Sequence, residues 1–473
     1  MSLNSFHFIL YFFVLFLVLL LIEWGKHVRK QDTGFLGRIQ LLMLVVFSYF
    51  FIYKSDWRFC ICVFAVTVIT YVIALAIQKR EQKKRLWLIT GIVLLLVILG
   101  YFKYTNFFLS GFLRLLGTQS KTFTIILPIG ISFYTFSALA YLLDVYWKRQ
   151  DAVTSFLDVL LYISFFPKLT AGPIVRPVKF FPQVRNYRGI KADAFLEGIQ
   201  IFVFGLFKKI VLADRLGVFV DDVFFAPTAY NTGTVILAVV SYSLQIYFDF
   251  SGYSDMAIGI SKILGFDFDR NFNLPYLANG MSDFWKRWHI SLSSWFREYL
   301  YFPLGGSRCG KTRTYLNLMI VMTLSGLWHG AGITFVVWGV LHGLACCIDR
   351  GLKNKKVPVV LKGMITYITA ALLWVVFRAE NFGNALAVYK GCFTIHSGIS
   401  QPYLWSFFAI ACFVIATACA VVRSKKRGES CVNGFYPVMD ITKLVPLILF
   451  FTFCGLTVIM GYFGNTAFIY GRF

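Results

Sequence analysis

The sequence predicts an all-α, polytopic membrane protein with about 11–12 transmembrane helices, and three observations predict it. Hydrophobic residues make up 58% of the 473-residue chain and charged residues only 14%, against roughly 25% charged in soluble domains. Apolar runs close to the roughly 20 residues needed to cross a bilayer recur from end to end. Short basic clusters separate those runs, as cytoplasmic loops do under the positive-inside rule. The net charge of +24 is therefore spread over loops, which argues against a nucleic-acid partner and for the lipid bilayer.

Taken in order, residues 8–22 open the chain, and Lys26, His27, Arg29 and Lys30 follow them. With no basic stretch ahead of the apolar run, a retained first helix starting outside is expected, not a cleaved signal peptide. Residues 41–53 and 60–77 form a hairpin returning to Lys79, Arg80, Lys83, Lys84 and Arg85. Residues 86–102 and 123–143 go out and back to Lys148 and Arg149. Residues 156–176 carry Pro167, Gly172 and Pro173 and are basic on the far side as well, the pattern of a re-entrant segment. Residues 195–211 and 235–247 go out and back. Residues 280–313 are amphipathic and aromatic-rich, with their cations at the cytoplasmic surface. Residues 315–327 and 333–347 pair as helices or half-helices, bending where Gly330 and Gly332 permit it. Residues 359–376, 404–422 and 445–462 complete the count. An even number of crossings puts both ends outside, so the tail 464–473 faces outward. No linker or internal repeat is visible, and residues 1–473 are expected to form a single domain.

The ten cysteines lie mostly in apolar runs and none has paired metal-ligand spacing. They read as small packing residues, and no metal is expected.

His329 carries the strongest chemical signal. It follows Leu327 and Trp328 and precedes Gly330, with Met319–Met322 before it and Phe335–Trp338 after it. An ionisable ring in so apolar a stretch needs a cavity or a partner. Its plainer reading is a hydrogen bond to a neighbouring helix. The helix break beside it favours a functional one. His289, in Phe284-Trp285-Lys286-Arg287-Trp288-His289, is the second candidate, because imidazole titrates near neutral pH. In a continuous helix Trp285, Trp288, His289 and Leu292 would share a stripe while Lys286, Arg287 and Arg297 project elsewhere. Such a helix suits a funnel whose cations receive a phosphate-bearing substrate from the cytoplasm. His342 reads as packing.

Asp249, Ser251 and Asp255 sit in a further apolar run. Buried carboxylates need partners. The favoured reading is that the two aspartates tie helices together, through Arg270, Lys286 or Arg287, and shape a polar cavity. Direct catalysis is the alternative.

At these residues the chain resembles the membrane-bound O-acyltransferase family, in its bacterial alginate-acetylating branch. The matching stretches are residues 249–255, residues 284–306 and Leu327-Trp328-His329-Gly330. Further matches are Pro128-Ile129-Gly130-Ile131-Ser132-Phe133, residues 166–176 and Asn271-Phe272-Asn273-Leu274-Pro275-Tyr276. The resemblance implies many helices around a central funnel, with His329 as catalytic histidine and His289 at the second polar position. It implies acyl transfer, most simply acetyl, from a cytoplasmic thioester such as acetyl-CoA or an acyl-carrier thioester, with no bound cofactor. His329 would be the general base, and His289 would orient the acyl carbonyl or stabilise negative charge. The substrate path would be lined by Trp328, Asp249, Ser251, Asp255, Trp285, Lys286, Arg287, Trp288 and Arg297. The acceptor would be an extracytoplasmic polysaccharide or cell-wall polymer, reached through a secreted or membrane-anchored O-acetyltransferase. The place implied is the bacterial cytoplasmic membrane. The end Phe468-Ile469-Tyr470 also resembles that branch, and Tyr470 is a candidate acyl acceptor or docking point, with an interfacial anchor as the alternative. D-alanyl transfer to teichoic acid is the runner-up within the enzyme class. A transporter or flippase is the rival outside it, disfavoured by the absence of repeat symmetry.

Overall fold

The computed structural model describes residues 2–29, 33–118, 123–352, 355–429, 432–434 and 436–464. Among them every extended element is a helix, and Tyr230 and Ile399 form an isolated bridge. Among the described residues, eight helices are long and apolar enough to cross a membrane. Shorter apolar helices cover Ile131–Tyr146 and Leu444–Met460. This is an all-α polytopic membrane protein.

The helices are α1 (Phe6–Arg29), α2 (Thr33–Tyr53), α3 (Trp57–Lys79), α4 (Lys84–Leu115), α5 (Ile131–Tyr146), α6 (Phe156–Ser164), α7 (Phe166–Leu169), α8 (Pro177–Arg185), α9 (Ala192–Phe207) and α10 (Asp214–Phe225). There follow α11 (Thr232–Ile263), α12 (Met281–Arg287), α13 (Ile290–Phe296), α14 (Gly310–His329), α15 (Ile333–Gly351), α16 (Val359–Arg378), α17 (Phe382–Phe393), α18 (Leu404–Lys426) and α19 (Leu444–Met460). The chain divides into two compact units, residues 1–202 with 256–269, and residues 203–255 with 270–473.

The first unit is organised around α7. Phe166 sits under Phe8, Phe47 and Phe51, with ring centroids 5.9, 4.9 and 6.0 Å away. Phe165 and Phe180 both pack on Phe266, at 4.9 and 5.3 Å. The nine residues of α6 reach only about 14 Å, far short of the roughly 30 Å hydrocarbon layer. The proline-broken segment thus takes the short, interrupted form its sequence predicts.

In the second unit, α14 and α15 form a tight hairpin that breaks at Gly330–Gly332. A Cβ on Gly326 would run into the Phe335 carbonyl, and one on Gly339 into the Met322 carbonyl. Glycine at both places is what lets the two backbones approach. Helix α11 contributes residues 232–255 to this unit, and 78% of its most apolar window is buried inside protein. That burial is why it can carry Ser241, Ser243, Asp249, Ser251, Ser254 and Asp255 at membrane depth: they face other helices, not lipid.

One local expectation fails. Residues 285–292 do not form a continuous helix. Helix α12 ends at Arg287, Trp288 is extended, and His289 is left-handed at φ 42° and ψ 56° before α13 begins. The Trp285–Trp288–His289–Leu292 stripe therefore does not exist.

Candidate functional site

All the site residues described here belong to the second unit. His329 is the last residue of α14 and is 3% exposed. Trp328, Trp338 of α15 and Phe377 of α16 present edges or faces to its ring at 5.0, 5.2 and 5.5 Å. His289 is 0% exposed, edge-on to Phe250 at 4.6 Å and to Trp328 at 6.0 Å. Trp328 thus contacts both imidazoles. Trp338 contacts His329 and also His342, the latter at 4.5 Å. Trp285 and Phe284 close the far side of His342 at 5.1 and 6.4 Å. The glycine-mediated α14–α15 approach is what aligns this row of rings.

The break at Trp288–His289 is held by Asn271. The backbone oxygen of Asn271 accepts from Ile290 N at 2.8 Å, and its Oδ1 accepts from Ser291 N at 3.1 Å. The same Oδ1 accepts from Ser291 Oγ at 2.9 Å and lies 3.3 Å from His289 Nδ1. Asn271 Nδ2 in turn donates to Ser254 Oγ at 3.2 Å. Burial pushes the His289 imidazole below its ordinary pKa, which favours the neutral ring.

The carboxylates of α11 meet two adjacent lysines. Residues 208–213 form a π-helix between α9 and α10. Lys209 bonds Asp249 at 2.5 Å and Asp214 at 2.7 Å, while Lys208 pairs with Asp255 and donates to Ser251 Oγ at 3.2 Å. Gly252 makes the approach possible: a Cβ there would stand 2.7 Å from Gly205 O and 3.0 Å from Lys209 N. Tyr436 Oη donates to the other oxygen of Asp255 at 3.0 Å. Burial, and then the Asp255 charge, push that phenol well above its ordinary pKa. The direct ion-pair partners are therefore Lys208 and Lys209; Arg270 acts on Asp255 through its charge, while Arg287 pairs with Asp283 and Lys286 is exposed. Two neighbouring cations inside an apolar run were the signal for them, because such charges need partners.

Lys208, Asp255 and Tyr436 line a cavity of about 250 Å³, walled otherwise by apolar groups including Phe204, Phe248 and Phe413. Arg270 and Gly434 border both this cavity and a second recess of about 310 Å³ that contains Arg423, Arg427 and Glu429. Neither recess is lined by Lys286, Arg287 or Arg297. Lys286 and Arg297 are exposed. Arg287 is committed to Asp283 at 3.0 Å and to the carbonyls of Asn273 and Val432. Trp288 is fully buried between Phe272, Phe284 and Trp374. Tyr470 lies outside the described residues.

Residues 42–354 match the profile of the membrane-bound O-acyltransferase family. The chain is 42% identical to a probable alginate O-acetylase of Pseudomonas aeruginosa over 369 residues, covering 76% of this chain and 70% of that protein. It is 39% identical to a peptidoglycan O-acetyltransferase of Helicobacter pylori over 402 residues, covering 77% and 75%. A teichoic acid D-alanyltransferase of Bacillus subtilis is 29% identical over 239 residues, covering 48% and 60%.

Proposed function

The chain belongs to the membrane-bound O-acyltransferase family and is a multi-pass acyltransferase of the bacterial cytoplasmic membrane; from that premise we propose that it passes an acetyl group from a cytoplasmic thioester to a hydroxyl destined for an extracytoplasmic glycan. The alginate and peptidoglycan relatives support acetyl as the group carried. A separate extracytoplasmic transferase completes delivery, and the tail around Tyr470 is its docking point.

The observation that carries this reading is the buried cluster of rings in which Trp328 touches both imidazoles. The acceptor hydroxyl attacks the thioester carbonyl while His329 takes its proton. The carbon–sulfur bond breaks, and the proton passes from the imidazolium to the departing thiolate. The aromatic wall keeps competing water out.

The cavity and recess are the proposed holding place for the donor, although neither is lined by His289 or His329. A pantetheine-like arm is narrow and mostly apolar, which suits the cavity, and its phosphates suit Arg270, Arg423 and Arg427 in the recess. Acetyl-CoA or an acyl-carrier thioester presents that arm.

Purified protein given acetyl-CoA together with a hydroxyl-bearing glycan acceptor is expected to release free thiol. His329→Ala should lower the rate about 10²- to 10⁴-fold with its melting temperature close to that of wild type. A folded His329→Ala protein working at the wild-type rate would remove the base.

A further inference from the structure

We infer that Asn271 fixes His289 as the Nδ1–H tautomer, so that this imidazole meets the substrate as a hydrogen-bond acceptor and Asn271 is a positioning residue of the acyl-transfer centre. The roles rest on the acyltransferase reading, whereas the tautomer does not. Ordinarily the two ends of an asparagine amide are interchangeable in an electron-density sense, and so is the proton on a neutral imidazole. Here both choices are forced. A backbone N–H can only donate, and Ser291 N points at one end of the Asn271 amide at 3.1 Å. That end is therefore the oxygen.

The oxygen also faces His289 Nδ1 at 3.3 Å. An amide oxygen cannot donate, so Nδ1 must carry the hydrogen. In a neutral ring the lone pair then falls on Nε2. Orienting an acyl carbonyl or binding an oxyanion would need an N–H at that end. The site instead offers a lone pair, to which an N–H or a non-reacting O–H of the substrate docks its hydrogen, leaving the acceptor hydroxyl's proton to His329.

The surroundings keep the ring neutral and still. Phe250 stands edge-on at 4.6 Å and Trp328 at 6.0 Å. Asn271 is itself anchored by Ser254 of α11 and by the first turn of α13. The charged groups on the elements packed around the ring have their own partners. Asp249 and Asp255 of α11 are in ion pairs, Arg287 of α12 is bound to Asp283, and Arg270 of the preceding loop donates to the Gly434 carbonyl. His329 of α14 touches Trp328.

Two measurements test this. The first is nitrogen NMR of protein labelled in its six histidines, with the His289 signal assigned by its loss in His289→Asn. A protonated Nδ1 is expected. A protonated Nε2 overturns the proposal whether or not the preparation turns over acetyl-CoA. The second is thiol release from acetyl-CoA and an acceptor, with the His289 nitrogens followed in the same spectra as the pH is lowered. Asn271→Ala should cut kcat about tenfold with little change in KM. Asn271→Asp, which keeps the acceptor oxygen and adds a charge, should restore most of the rate and raise the pH at which His289 gains its second proton, because the carboxylate favours the imidazolium. A His289 titration unchanged in Asn271→Asp overturns the positioning role. If wild-type protein releases no thiol, the acyl-transfer reading fails while the tautomer is still decided by the spectrum.

Discussion

Lys168 shows how single side chains set the pH behaviour of the first unit. Its ammonium is 3% exposed, 3.4 Å from Ser137 Oγ and 4.2 Å over the Tyr162 ring. Burial pulls its pKa down from 10.5 to about 7. Between those values the unfolded chain holds the proton that the folded one has released, so stability rises with pH across the window and levels off below about 7. The melting temperature of wild type should therefore climb from about pH 7 to about pH 9 more steeply than that of Lys168→Met; superimposable slopes would dismiss the effect. At this scale the two histidines were legible in the sequence, because an imidazole among tryptophans and aliphatics is chemically conspicuous. Asn271 was not. It stands in a stretch of loop character, and its worth comes from five bonds made to four residues that fold back onto it.

Helix α11 and the π-helix at 208–213 illustrate the next scale up. The π-turn presents consecutive lysines to carboxylates six residues apart on α11, a pairing that a regular helix facing a regular helix would not offer. Removing one member of a buried pair leaves an uncompensated charge, at a cost of about 3–5 kcal/mol. Asp249→Ala should fall in that range by thermal or denaturant unfolding in detergent. Lys209→Met combined with Asp249→Leu and Asp214→Leu should recover much of the loss. Full additivity of the three changes would contradict a shared network. Gly252→Val should be at least as damaging, since the branched side chain meets the backbone of Gly205 and Lys209. The apolar periods were readable, as was the break at Gly330–Gly332. The break at His289 was not, because no glycine or proline announces it. Contacts from Asn271, distant in sequence until the chain folds, impose it.

At the level of the whole molecule, the spanning helices differ widely in how much of them is covered by protein. The most apolar windows of α1 and α18 are each 17% buried, against 78% in α11, so lipid coats the first two and helices coat the third. Cations collect at the ends of the apolar helices. Arg423 and Arg427, at the end of α18 and just past it, are such end charges, and they also border the recess. Arg423→Ala with Arg427→Ala should raise KM for acetyl-CoA about tenfold and leave kcat within about twofold, as expected when only ground-state binding is lost. A large fall in kcat at unchanged KM would place the donor elsewhere. Composition revealed this lipid-facing plan directly. The recess itself brings Arg270, Asn273 and Asn433 together from parts of the chain with no pattern to link them.

The left-handed backbone at position 289 also limits which amino acids can evolve there. Its φ of 42° is a basin that asparagine, aspartate, histidine and glycine enter most readily, and that branched side chains enter only with strain. Two independent sieves therefore act on one codon, the chemistry of the ring and the handedness of the peptide. A library saturating this site should return a short alphabet even when it is screened for folding alone.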